Sequence, residues 1–156
     1  MNLKSIFSMI FAAGLLSGAA TSAFAGDHDY GPYPAYYSEE CGSCHVPYPA
    51  QRLTQAGWET QINGLKQHYG TDASVDAPAS RTILSYLVNN AAWKDKLAPT
   101  DTTGRLTLTR WFLKEHGSVP PKGKKFSDCT QCHTQAAVGN YSESTLKTPA
   151  GWRRAQ

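Results

Sequence analysis

The sequence predicts a mainly α-helical protein built from two small lobes. The pentapeptide Cys-x-x-Cys-His occurs once in each half of the chain, and apolar residues recur at intervals of three and four in three separate stretches. A polar segment rich in Pro, Thr and Gly, residues 98–104, is typical of a linker. We therefore expect an N-terminal lobe at residues 26–98 and a C-terminal lobe at residues 99–156.

The two pentapeptides contain all the cysteines of the chain. Positions i and i+4 of a helical turn share a face, so a short helix would bring the first cysteine of each copy beside its histidine. Two thiols can then bond to a porphyrin edge while the imidazole binds its iron, and this spacing is the attachment signature of a c-type haem. We predict two haem c groups, with covalent attachment at Cys41, Cys44, Cys129 and Cys132 and iron ligation by His45 and His133.

Three other interpretations of a Cys-x-x-Cys pair are weaker. A four-cysteine zinc site needs no histidine directly after each pair. A thioredoxin-like redox pair would lie near a βαβ pattern, and none is visible here. An exported chain could also form structural disulfides from these cysteines. Haem attachment is favoured because the five-residue pattern repeats and no cysteine is left over.

The N-terminus predicts export. Lys4 gives a short positive start, residues 6–16 are apolar, and Ala23-Phe24-Ala25 is a small-x-small cleavage site. We interpret residues 1–25 as a cleaved signal peptide and a bacterial periplasm as the destination. An uncleaved membrane anchor is the alternative, although polar residues and glycine within residues 6–25 weaken it as a bilayer helix. No later segment is apolar enough to anchor the mature chain.

Charge and size limit the possible functions. Loss of Lys4 with the leader lowers the formal charge from +3 to +2, and no basic patch argues for nucleic acid. A chain of this size has few large apolar surfaces of its own to bury. The haems should therefore supply much of the core, and the apoprotein should be largely unfolded.

The residues available as axial ligands of the haem irons are mainly histidines. Both methionines, Met1 and Met9, lie in the predicted leader, which excludes a His/Met haem in the mature chain. The sixth ligand of each iron must be another histidine, a rarer group such as lysine, or absent. Beyond the motif histidines the chain has His28, His68 and His116. His28 follows the cleavage site and is expected to be a mobile terminal residue.

His68 and His116 each lie towards the end of a stretch with helical apolar spacing. The apolar residues and terminating glycines are Trp58, Ile62, Leu65, Tyr69 and Gly70 for the first stretch, and Phe112, Leu113 and Gly117 for the second. Such a histidine is usually a packed or surface residue beside a helix C-terminus. Because two irons need ligands and methionine is absent, we expect both histidines to be axial ligands.

The remaining elements are also helical. A third amphipathic helix is expected at residues 78–92, with Asp76 or Ala77 near its cap. Short helices should carry both haem motifs, the second after Ser127 as N-cap. The first lobe has its haem motif before its distal histidine, whereas the second has the reverse order. Local pairing joins His45 with His68 and His133 with His116, and a crossed arrangement stays open.

Longer segments carry a more specific signal than the haem motif alone. They are YSEECGSCHVPYP at residues 37–49, Trp58, GLKQHYG at 64–70, ILSYL at 83–87, Arg110-Trp111, Glu115-His116 and DCTQCHTQAA at 128–137. Over residues 36–141 the chain resembles the small dihaem cytochromes c. The tail, residues 142–156, lies outside this resemblance.

The resemblance implies two bis-histidine haems on two small lobes, the first similar to a class I cytochrome c. It makes His45 and His133 proximal ligands and His68 and His116 distal ones. It also implies an electron carrier associated with a high-spin, oxygen-binding monohaem cytochrome and a membrane b-type cytochrome. Independently of it, the lysines before the second motif could steer an acidic partner or a propionate-rich haem edge, or simply form a solvated loop; they are Lys122, Lys124 and Lys125.

Outer-sphere electron transfer is the expected activity, because filled axial positions leave no iron site for a substrate. Two histidine ligands should give lower reduction potentials than His/Met ligation. Three alternatives stay open. The small dihaem subunit of periplasmic nitrate reductase would copurify with a molybdenum-containing partner. A dihaem enzyme of the peroxidase kind would turn over peroxide, and either it or a gas-binding protein would bind carbon monoxide in the ferrous state.

Overall fold

A computed structural model describes residues 28–149 and residue 152. Over these residues the chain forms four α-helices and seven single-turn 3₁₀-helices, and β-structure is limited to isolated bridges. The predicted mainly α class is confirmed. The predicted signal peptide, residues 1–25, lies outside the described residues. The α-helices are α1 (Ala35–Cys41), α2 (Gln55–Asn63), α3 (Ala77–Asn89) and α4 (Arg110–His116).

The 3₁₀-helices connect these elements. They are Ala50–Arg52, Leu65–Gln67, Asp95–Leu97, Leu106–Leu108, Cys129–Gln131, Ala136–Val138 and Glu143–Thr145. After α4, the described chain contains only such single turns and loops. Regular helix is therefore concentrated before the second haem motif.

The main apolar core lies where α2 packs on α3. The Trp58 side chain is buried, and its indole N–H donates to the Ala50 carbonyl oxygen at 2.8 Å. The Ala92 N–H donates to the Leu53 carbonyl oxygen at 2.9 Å and ties the end of the α3 region to the start of α2. The buried residues of this cluster are Tyr33, Tyr37, Ala50, Leu53, Trp58, Ile62, Ile83 and Leu87.

The predicted helix through Tyr69 is shorter than its apolar spacing suggested. Helix α2 ends at Asn63, and a separate 3₁₀ turn follows before His68. The extension to Gly70 is therefore wrong. Gly64 ends the helix because glycine gives up more conformational freedom in a helix than other residues do, and its N–H closes the last turn on Thr60 and Gln61 carbonyls.

Helices α3 and α4 form where they were predicted. The Asp76 carboxylate accepts from the Ala79 N–H at 2.7 Å and caps α3, which ends three residues before the predicted Ala92. Buried Thr109 caps α4 by accepting from the Phe112 N–H at 3.1 Å. Helix α4 ends with His116, and Gly117 follows at φ +74°, a conformation that favours glycine.

Helical structure covers only part of each haem motif, which corrects the prediction that a short helix carries each of them. Helix α1 ends at Cys41, so the rest of the first motif is in turns. In the second motif only Cys129–Gln131 is helical, as one 3₁₀ turn capped at Asp128 rather than Ser127. The Asp128 carboxylate accepts from the Thr130 hydroxyl and the Gln131 amide, and such local side-chain bonds compete with helix continuation.

The predicted linker, residues 98–104, packs against the helix that precedes His68. The Gln61 amide N–H donates to the Thr103 carbonyl oxygen at 2.9 Å. Gly104 is buried at φ +72°, and a Cβ there would lie 2.5 Å from Gln61 Nε2. Thr100 is held from the other side by a backbone bond to the Leu108 carbonyl. The division into lobes at residue 98 stays a prediction.

Candidate haem sites

The first site brings His45 and His68 together. Their ring centroids are 6.2 Å apart and their planes are inclined by 20°. His45 follows α1 and its Nδ1 lies 2.8 Å from the Val46 carbonyl oxygen. Tyr48 also stacks on His45, with 5.0 Å between ring centroids and 24° between planes. The His45 imidazole is thus oriented by a backbone bond and by an aromatic contact.

His68 is held by a constrained loop. The next residue, Tyr69, has φ +51°, which costs a non-glycine residue on the order of 1 kcal/mol. Its ring packs 4.7 Å from the His68 ring. Its hydroxyl donates to Gln61 Oε1 at 2.9 Å and lies 3.0 Å from the Thr103 carbonyl oxygen. The Arg105 guanidinium covers the same ring at 3.9 Å from its centroid. These contacts keep Tyr69, and with it His68, in place.

The second site brings His116 and His133 together, with ring centroids 6.1 Å apart and planes at 61°. His116 is the last residue of α4. Its ring stacks on Phe112 at 4.2 Å, and its Nδ1 lies 3.3 Å from the Phe112 carbonyl oxygen. The edge of Phe126 approaches both rings. The end of α4 therefore presents His116 to the second haem motif.

A cavity of about 530 Å³ contains the second site. It is lined by His116, His133 and both cysteines of the motif, and its volume lies in the range of small-molecule and cofactor pockets. Residues from the N-terminal half complete its wall, namely His28, Tyr30, Tyr48, Pro49, Arg52 and Lys94. Trp152 also lines it.

Burial favours the neutral form of two candidate ligands, His133 and His68. It lowers the pKa of His133 to about 4, and nearby His116 contributes in the same direction. It also lowers the pKa of His68, with smaller contributions from His45 and Arg105. Neutral imidazole is the form that binds a metal. The His133 Nδ1 atom is buried and has no hydrogen-bond partner among the described residues.

The cysteines are available for haem attachment. All four are free thiols, and burial raises the pKa of Cys41 and Cys129 to about 11. Within the described part of the chain no group of three or more His, Cys, Asp or Glu side chains forms a metal site. The paired imidazoles, the free thiols and the cavity fit two covalently attached haems.

His28 is held rather than loose, contrary to the expectation of a mobile residue. Its carbonyl oxygen accepts from the Tyr141 N–H at 2.8 Å, and its ring lies parallel to Tyr30 at 6.0 Å. The neighbouring Tyr30 N–H donates to the Gly139 carbonyl oxygen at 2.9 Å. The residues before α1 thus run alongside the segment that follows the second haem motif.

Comparison with known proteins decides the family. The family model for dihaem cytochrome c matches residues 37–141, more than half of the chain. The chain belongs to the dihaem cytochrome c family. This cytochrome accordingly carries two haem c cofactors, and membership implies haem-based electron transfer.

Solved structures agree with this assignment. The diheme cytochrome c from Rhodobacter sphaeroides is 35% identical with a TM-score of 0.60, and the match covers 69% of this cytochrome and 95% of that chain. The diheme cytochrome from Shewanella baltica OS155 is 34% identical with a TM-score of 0.61, over 78% of this cytochrome and 98% of that chain. No curated protein matches the chain.

Several residues of the second cavity were not predicted from the sequence. Tyr30, Arg52 and Trp111 line it together, although the first two precede the second haem motif by more than seventy residues. Tyr48 also lines it and its hydroxyl lies 3.5 Å from the Ser127 carbonyl oxygen. No local spacing links these residues to Cys129. Tyr48 and Trp111 belong to the segments that resemble the dihaem cytochromes c, and no other sequence signal singled out these residues.

Proposed function

We propose that this cytochrome is a periplasmic electron carrier whose two haems are both low-spin and bis-histidine ligated. The observation that carries the proposal is the presence of two imidazole pairs, His45 with His68 and His116 with His133, at almost equal separations. Each pair contains one motif histidine and one histidine from elsewhere in the chain. The proposal extends family membership to named ligands, a spin state and a cellular location.

The separations support a metal between each pair. A transition-metal–imidazole bond is about 2 Å long and the ring centroid lies about 1 Å beyond the nitrogen, so two imidazoles on one iron have centroids roughly 6 Å apart. The observed values are 6.2 Å and 6.1 Å. Direct face-to-face stacking would be closer. The same proximity favours local over crossed ligand pairing.

The hydrogen bonds support ligation through Nε2. An Nδ1–H that donates to a backbone carbonyl fixes the tautomer and leaves the Nε2 lone pair free for a metal. His45 has such a partner in Val46 and His116 has one in Phe112. Cys41 and Cys44 would hold the first haem, and Cys129 and Cys132 the second.

Filled coordination defines the chemistry. When bound, each haem supplies a one-electron couple between ferric and ferrous iron. The four histidines would occupy the axial positions, so neither iron would offer a site to a substrate or a gas. The His45 and His116 imidazoles are already oriented by backbone carbonyls, so we expect little ligand rearrangement between redox states. This supports an electron carrier rather than an enzyme.

Export and weak docking complete the proposal. The leader-like residues 1–25 support delivery to the periplasm, and among the described residues no helix is long and apolar enough to cross a membrane. By family resemblance we infer two partners, a high-spin oxygen-binding monohaem cytochrome and a membrane b-type cytochrome. Contact with them should be small, since turnover requires release. Lys124 and Lys125 line the cavity of the second site and would face an acidic partner there.

Replacement of the distal histidines tests the proposal. His68→Gly and His116→Gly should each convert one haem to the high-spin state and open it to carbon monoxide, while the unaltered ferrous protein binds none. His28→Gly is the matched control and should leave both haems low-spin. A count of high-spin iron in the oxidised native protein, followed by carbon monoxide titration, measures this. A His68→Gly or His116→Gly protein that stays fully low-spin rejects that ligand, and native high-spin iron rejects the whole scheme.

A further inference from the structure

Arg52 occupies an unusual position in the wall of the second cavity. It ends the Ala50–Arg52 turn in the N-terminal half and is half-buried. Its guanidinium carbon lies 4.8 Å from the Tyr30 ring centroid and 4.3 Å from the Trp111 ring centroid. Two aromatic rings therefore fix the side chain. Its conformational entropy is lost on folding, so little more is lost when it binds a ligand.

The ring contacts of Arg52 determine which of its atoms are left to bind an anion. A guanidinium has five N–H donors in one plane, so ring contacts leave those donors for anions in that plane. Glu115, which also lines the cavity, interacts electrostatically with Arg52. One carboxylate accepts two of the five donors in a bidentate pair. A guanidinium has more donors than one carboxylate accepts, so Arg52, which lines the cavity, can bind a second anion beside Glu115.

The second cavity brings its own anions. A haem has two propionate carboxylates, and a carboxylate taken out of water needs a cationic partner. We propose that Arg52 binds a propionate of the haem that is attached through Cys129 and Cys132. This rests on the proposed placement of that haem in the cavity.

Other charged groups face the cavity but are less constrained. The cations are Lys94, Lys124 and Lys125, and the acids besides Glu115 are Asp128 and Glu143; His28 also lies at the wall. Lys94 is exposed and its ammonium lies 5.4 Å from the exposed Trp93 ring. Lysine is a flexible point charge, whereas arginine matches a carboxylate in a bidentate fork. Arg52 is thus the cation whose orientation the fold has fixed.

The proposal predicts a difference in reduction potential. A positive charge near a haem disfavours the ferric form, which carries one more positive charge than the ferrous form. Loss of Arg52 should therefore lower the potential of the second haem. An unpaired buried propionate should also take up a proton more readily. In the variant, the reduction potential of the second haem should therefore depend on pH near neutrality more strongly than in the native protein.

Arg52→Gln and Arg52→Lys test this against Arg105→Gln. Arg105 is the matched control because its guanidinium also covers an aromatic ring, Tyr69, but beside the first site. We expect Arg52→Gln to lower the ferrous-to-ferric ratio of the second haem about tenfold at a fixed applied potential, which is about 59 mV for one electron. Arg52→Lys should recover part of this, and Arg105→Gln should leave the second haem unchanged. Redox titration at several pH values, monitored by a spectrum that separates the haems, gives the readout.

Two results overturn the proposal: Arg52→Gln leaves both potentials and their pH profiles unchanged, or it shifts both haems equally. If the variant does not incorporate haem, nuclear magnetic resonance of ¹³C-labelled propionates in the native protein decides. One propionate of the second haem should then fail to titrate across neutral pH. Uniform titration of all four propionates contradicts the assignment. Spin state reports separately on the histidines, so the ligand scheme and the Arg52 inference can fail independently.

Discussion

The two halves of the molecule differ in what fills their interiors. From residue 33 to residue 87, eight buried residues form one continuous core between α2, α3 and the chain around them. Beyond residue 98, the buried side chains of the described chain are Thr109, Phe112 and Ala136, and the central space there is the cavity beside His116 and His133. The first half has a core of its own side chains, whereas the second half has a cavity at its centre, and we expect its stability to depend on the cofactor that fills it.

The same pentapeptide therefore works in two different settings. The first copy follows a helix whose Tyr37 is buried in the core. The second copy forms a single 3₁₀ turn held by Asp128, in a region with little regular structure. Covalent attachment needs only the local spacing of two thiols and a histidine. The stability of the surroundings is a separate property that the motif does not determine.

The largest expected effect comes from removing one pair of attachment cysteines. Cys129→Ser with Cys132→Ser should prevent haem incorporation at the second site and unfold the chain around α4. Without the haem, the cavity of about 530 Å³ would be open to water, and the apolar side chains around it would lose the surface they pack against.

The matched variant is Cys41→Ser with Cys44→Ser, which should retain more helix because the α2–α3 core remains. Circular dichroism and limited proteolysis of both proteins measure the difference. Equal loss of helix in the two double variants would show that the halves depend on their haems to the same extent.

Alkaline pH tests the side-chain core of the first half. Burial raises the pKa of Tyr37 well above its ordinary value of 10.0, and burial also raises the pKa of Tyr33. Above pH 10 the unfolded chain releases these protons first, so the stability present below pH 10 is lost as pH rises toward the folded pKa. The free energy of unfolding should fall by about 1.4 kcal/mol per pH unit for each such tyrosine.

Tyr37→Phe should remove one tyrosine's share of that slope. Its control is Tyr36→Phe, because the neighbouring Tyr36 side chain is 39% exposed and does not belong to the buried core cluster. Denaturant unfolding at a series of alkaline pH values provides the free energies. A Tyr37→Phe protein with an unaltered slope would mean that this hydroxyl is accessible to solvent in the folded state.

The smallest effect is spectroscopic. The imidazole planes are inclined by 20° at the first site and by 61° at the second. Nearly parallel planes split the iron d orbitals more than strongly inclined planes do, so the axial ligands give each centre its own magnetic signature. Electron paramagnetic resonance should show a rhombic signal for the first haem and a more anisotropic one for the second. His116→Gly should remove only the latter, and two identical native signals would contradict this geometry.

The cofactor chemistry could be predicted from the sequence more accurately than the local secondary structure could. The Cys-x-x-Cys-His spacing is a covalent requirement and is readable without a fold. The helix at residues 78–92 was also readable, since its cap and apolar stripe agree. By contrast, the end of α2 was predicted wrongly. The helix ends before Gly64, but the apolar spacing continues to Tyr69 and therefore suggested a longer helix. The approach of Arg52 to Trp111 joins residues nearly sixty positions apart, so no periodicity could reveal it.

The shared wall of the second cavity has a consequence for protein engineering. Tyr30, Tyr48 and Arg52 form one side of it, and all three precede residue 99. A fragment that starts at residue 99 would keep the attachment motif and His116 yet lack that side, leaving the cofactor open to water. Two fragments made by dividing the chain at residue 98 would therefore not be equivalent. Only the N-terminal fragment would keep a core of buried side chains.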